Sequence, residues 1–158
     1  MEIPSFVNAG RACGYALLTV LLVGCAGHVR GLVEPTPAGS RLTTVEGRVY
    51  KLILTGESTP IHRLDGHFVD AWGQRVFNTI RVSRWTVGEG LHGMPTWVGK
   101  LVVMGEQLGI EDMNSGVFYL LDDKAAGTLR VHADKVVLVE GYVDGPHMVH
   151  AVYYRLLE

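Results

Sequence analysis

From Val45 to the end of the chain no stretch holds a 3.6-residue apolar period long enough for a core-facing helix, and short apolar runs alternate with turn residues instead. Such a chain has to bury sheet faces. Val45 to Leu54 reads as a strand, Asp65-Gly66 interrupts the chain, and His67 to Trp72 makes a second run closed by Gly73. From Arg75 to Trp85, Val76, Ile80 and Val82 share one face while Arg75, Thr79, Arg81 and Ser83 share the other, the alternation of a half-buried strand. Val98 to Met104 is a further strand, and Asn114-Ser115-Gly116 leads into Val117 to Leu121. Asp122 and Asp123 then read as a turn, Leu129 to Val131 as a short strand, and Val136 to Val143 as an apolar run suited to burial on both sides. Asp144-Gly145-Pro146 supplies a tight turn into Met148 to Leu157. The expectation is an all-β fold, either a small antiparallel barrel or a sandwich.

The N-terminal region follows a different logic. Ala12 to Gly24 is uncharged and dominated by Leu17, Leu18, Val20, Leu21, Leu22 and Val23, with Arg11 and the free amine before it and Glu2 offsetting part of that charge. This is the order of a secretory signal. At 13 residues the run is shorter than the roughly 20 needed to span a bilayer as a helix. It ends in Leu22-Val23-Gly24-Cys25.

That tetrad resembles the lipobox of bacterial lipoproteins. The resemblance implies cleavage between Gly24 and Cys25, lipid on the Cys25 sulfur, and a membrane anchor of two or three acyl chains, which hold where a single chain binds only marginally. It also implies an envelope location facing the periplasm. Ala26 in place of Asp slightly favours the outer membrane over the inner. Cys13 then leaves with the signal peptide and Cys25 is consumed by lipid, so no disulfide, Cys-ligated zinc or cysteine nucleophile is expected. Ala26 to Thr43, rich in Gly, Pro and Ser, reads as a flexible tether. The expected organisation is therefore a signal peptide at 1–24, a lipidated tether at 25–43 and a β domain at 44–158.

Across Val98 to Leu157, the order of a Gly-flanked strand, a Gly-then-Tyr strand, a short strand and a long run ending in Gly resembles OB-like small barrels. Gly66 to Gly73 also echoes Asp134 to Gly141, which leaves open one barrel or two related half-barrels.

Several motifs bear on chemistry. Gly88-Glu89-Gly90-Leu91-His92-Gly93 has the spacing G-x-G-x-x-G, but Pro95 disfavours helix at Met94 and the following chain is strand-like, so it reads as a flexible loop rather than a nucleotide site. Glu89, His92, Met94 and Trp97 make that loop the candidate binding surface. The seven histidines show no three- or four-ligand convergence, although His62, Asp65, His67 and Asp70 surround one turn. No Ser lies in a G-x-S-x-G elbow, and the adjacent acids Asp122 and Asp123 diverge rather than flank one bond. Arg75, Arg81 and Arg84 near Trp72, Phe77 and Trp85 sketch a stacking-and-basic surface, yet the net charge of −2 gives no reason to expect nucleic acid as partner. The expectation is a non-catalytic binding or structural module for an envelope protein or glycan, without cofactor or metal. An envelope enzyme or metal carrier using His92 with His62 or His67 is the alternative.

Overall fold

The computed structural model describes residues 25–157, and the signal-peptide reading of 1–24 lies outside the described residues. The all-β expectation holds, and the barrel occurs twice. The first barrel comprises β1 (Cys25–Thr36), β2 (Gly39–Thr43), β3 (Val49–Ile53), β4 (Phe68–Val76) and β5 (Thr79–Val87), closed in the order β1-β2-β3-β5-β4. The second comprises β6 (Thr96–Met104), β7 (Gln107–Asp112), β8 (Phe118–Leu121), β9 (Val136–Asp144) and β10 (Met148–Leu156), closed in the corresponding order. In each, a helical segment joins the third strand to the fourth: a 3-10 segment at Gly56–Arg63 in the first, the α-helix α1 (Asp123–Leu129) in the second. In each, the third and fifth strands pair parallel and the first and fourth antiparallel.

The segment read as a flexible tether is instead β1 and β2. Val29 and Val33 point into the core while Arg30 and Pro35 stay outside. The glycines that suggested flexibility are sites of close approach: a Cβ on Gly31 would stand 2.7 Å from the Thr43 carbonyl oxygen, and one on Gly27 would stand 2.9 Å from the Arg75 Cβ. Glu34 fixes the β1–β2 register by accepting from Arg41 Nε at 2.7 Å and Thr43 Oγ1 at 2.8 Å. Among the described residues the β structure therefore already includes residues 25–43, and residues 88–95 link the two barrels.

Three local readings also change. Arg75 to Trp85 is a hairpin that reverses at Phe77-Asn78, with Val76 paired to Thr79. Asp122 and Asp123 start a helix rather than a turn, because the Asp122 carboxylate caps α1 by accepting from Ala125 N at 2.9 Å and also accepts from Ala151 N at 2.8 Å. Leu129 to Val131 is the end of that helix and a short 3-10 turn, with Leu129 buried in the second core. Gly127 lies on α1 with open space around its Cα, so Gly127→Ala should raise stability by up to about 1 kcal/mol, measured as a higher denaturation midpoint.

The echo noted in the sequence falls on matching strands. Gly73 of β4 and Gly141 of β9 occupy the same place in their barrels, each opposite a bulge in the last strand, at Ser83 and Val152. One apolar cluster, built on Val33, Leu42, Ile61, Leu64, Val69 and Ile80, extends into the second barrel through Val98, Leu138 and Leu157. The other fills the second barrel around Leu101, Ile110, Leu129 and Val149. The two barrels therefore share a packed junction, and the positions facing it hold the side chains of greatest chemical interest.

Candidate functional site

The loop between β5 and β6 is folded onto a buried carboxylate rather than free. Glu140 sits in β9 with its side chain wholly inaccessible. Its Oε1 accepts from Leu91 N at 3.0 Å, and its Oε2 accepts from His92 N at 3.1 Å and from His92 Nδ1 at 3.0 Å. Gly90 N donates to the Met94 carbonyl and Gly93 N to the Gly90 carbonyl, which closes the loop into a tight turn. Only glycine fits at residue 90, since a Cβ there would lie 2.1 Å from the Glu140 carboxyl carbon.

His67, also fully buried, turns its Nε2 toward Glu140 Oε1 at 3.5 Å while Nδ1 faces the Asp65 carbonyl at 3.2 Å. Burial alone raises the pKa of the Glu140 carboxyl. The amide and ring of His92 and the amide of Leu91 outweigh that and hold it below the usual carboxylate value. A carboxylate that is inaccessible to solvent and accepts three hydrogen bonds from Leu91 and His92 is a fastener between the second barrel and the linker. Neither of its oxygens is exposed to solvent.

The expected loop residues accordingly separate. His92 is half exposed beside Tyr153, with ring centroids 5.2 Å apart. Glu89 points to solvent, Met94 contributes its carbonyl to the turn, and Trp97 packs on Tyr119 against the second core. The residues around the His62 turn also disperse: His62 Nδ1 meets the Thr59 carbonyl at 2.6 Å, and Asp70 pairs with His28 at 2.7 Å. Among the described residues no group of three or more His, Cys, Asp or Glu side chains could hold a metal ion.

A separate cleft of about 1000 Å³ opens on the first barrel. Ala26, Gly27 and His28 of β1, Trp72 and Gln74 of β4, and Arg81, Ser83 and Arg84 of β5 form its walls, and Glu57 of the 3-10 segment and Asn114 of the second barrel close its rim. Trp72 is sandwiched there. His28 stacks on the indole at 4.7 Å and 17°, and the Arg84 guanidinium lies 4.3 Å from the ring centroid. Trp85 is buried at the back and donates from Nε1 to the Glu57 carbonyl at 3.0 Å, which ties the 3-10 segment to the barrel.

Of the stacking-and-basic set sketched from sequence, the cleft gathers Trp72, Arg81, Arg84 and Trp85, whereas Arg75 and Phe77 do not line it. Trp72 and Glu140 occupy matching positions, each paired with the residue just past the bulge, Arg84 or Tyr153. On the second barrel the chain's own linker fills that position. On the first it is open. Glu140 has a sequence signal of its own, an acid alone within the apolar run Val136 to Val143, which the apolar pattern of that run masks. Comparison with known proteins returns no matching family model, no matching curated protein and no matching solved structure.

Proposed function

We propose that this chain is a lipid-anchored envelope lipoprotein, held at Cys25 and facing the periplasm, that binds another envelope component without catalysis through the cleft of its first barrel. The observation that carries the reading is the open cleft with Trp72 held between His28 and Arg84. Exposed His28 and Arg84, ordered by stacking on the partly buried Trp72 in a concave site, contact a ligand at low entropic cost. The position that matches it on the other barrel is filled by linker peptide, which supports reading it as a binding position. The strand order is similar to that of OB-like barrels, whose variety of ligands fits a binding role. Cys25 is exposed and unpaired, as lipid attachment requires.

The partner is an envelope protein or glycan, and the outer membrane is slightly favoured by Ala26. Titrating indole fluorescence with solubilised cell-wall and outer-membrane fractions tests the proposal. Saturable quenching is expected, weakened about tenfold by Trp72→Ala, which removes the ring that orders His28 and Arg84. Quenching that is the same in Trp72→Ala would sink the cleft as the binding surface. Mass spectrometry of the mature N-terminus tests the anchor: a chain retaining residues 1–24 with an unmodified Cys25 thiol would remove it.

A further inference from the structure

We infer that one end of the first barrel, formed by the β2–β3 and β4–β5 turns around Cys25, rests directly on an anionic bilayer surface. The inference takes from the proposed anchor only the side on which the bilayer lies. Pairing brings the three chain segments to the same end. Cys25 opens β1 opposite Arg75 near the end of β4, and the parallel pairing of Lys51 with Thr79 sets the start of β3 beside the start of β5. The turn Thr44–Arg48 before β3 and the turn Phe77-Asn78 before β5 therefore project side by side, and residues 1–24 join the barrel there, with their apolar stretch Ala12 to Gly24. No tether separates Cys25 from the barrel, because Cys25 itself lies in β1 and pairs with Arg75.

What these turns display suits a lipid interface. Phe77 is 83% exposed and Val45 82% exposed at the tips. Phe77 also has φ +50, a left-handed conformation in a two-residue hairpin turn where Gly or Asn normally sits. Neither local backbone preference nor packing against the described residues accounts for a phenylalanine there, so its use lies outside the barrel. Arg48, Lys51 and Arg75 surround the tips, with Glu46 the acidic residue of the same turn, beside Arg48. Apolar tips ringed by cations match the layered chemistry of an anionic bilayer, apolar below and negative at the surface. The occupant of this face is thus the membrane itself, and the cleft lined by Ala26 and Gln74 opens just above it.

Among the described residues, those that fill both cores run from Val29 onward, and all ten strands of the two closed barrels lie within residues 25–156. Purified protein of residues 25–158 with Cys25→Ser, lacking any lipid, is mixed with vesicles of pure phosphatidylcholine and with equimolar phosphatidylcholine and phosphatidylglycerol, and sedimented. Partitioning is expected with the anionic vesicles and about tenfold less with the neutral ones. Phe77→Asn should lower partitioning about tenfold while raising the Tm, since Asn tolerates the left-handed turn and loses only the apolar tip. Arg48→Glu with Lys51→Glu should abolish the preference for phosphatidylglycerol. Equal partitioning of Phe77→Asn and the parent, or no binding to anionic vesicles, overturns the inference. A lipidated Cys25 in the cell combined with no vesicle binding overturns this face alone. An unmodified Cys25 combined with vesicle binding removes the anchor and leaves the face standing.

Discussion

Glu140→Ala should destabilise the protein by about 3 kcal/mol and release the linker between the barrels. The substitution strips acceptors from the Leu91 and His92 amides and from the His92 ring, and leaves His67 Nε2 facing a cavity where a carboxylate had been. Unmet buried donors cost about 1–3 kcal/mol each, and partial hydration of the freed loop limits the sum. Denaturant unfolding measures the loss, and hydrogen exchange at the amides of Leu91 and His92 locates it. Glu140→Gln keeps one acceptor oxygen and should recover part of the difference. A midpoint unchanged in Glu140→Ala would show that the loop is held by something else.

The same carboxylate sets an acid limit on stability. Its pKa in the folded protein lies below the ordinary value of 4.5, so the stabilising contribution is fully present above that value and is lost as the pH falls through the lower folded value. Stability of the parent should decline below about pH 4.5, and Glu140→Gln should flatten that part of the profile. Glu34 and Glu46, whose pKa values are also lowered, contribute in the same direction and remain in the variant as background.

The second large effect is expected from Gly141→Ala, and equally from Gly73→Ala, at about 3 kcal/mol or more. A Cβ on Gly141 would lie 2.0 Å from the His150 carbonyl oxygen, and one on Gly73 would lie 1.8 Å from the Arg81 carbonyl oxygen. Both contacts are with backbone, which cannot rotate away as a side chain can, so the last strand must leave its pairing at the bulge. Soluble yield and thermal midpoint read the outcome. Gly127→Ala, the same change in open space on α1, is the control and should move the other way. If all three behave alike, close approach is not what these two strand glycines serve.

The pattern of apolar runs was enough to determine an all-β chain and most of its strands, because a strand's two faces are written in consecutive residues. Val98 to Met104 and Val136 to Val143 lie on β6 and β9 for that reason, and Met148 to Leu157 covers β10 and one residue beyond it. Sequence also marked the echo between Gly66–Gly73 and Asp134–Gly141, and with it a hint of repetition. It did not reveal two complete barrels, since closure depends on parallel pairings between strands far apart in the chain. The glycines of β1 looked like a tether because flexibility and close approach leave the same letter, and only the neighbouring strands tell them apart. Likewise the loop around His92 looked open until Glu140, almost fifty positions later, reached back to fill it. Local pattern fixes which side of a strand faces inward. Which strand lies beside it, and which cavity stays empty, is decided by contacts the linear order does not encode.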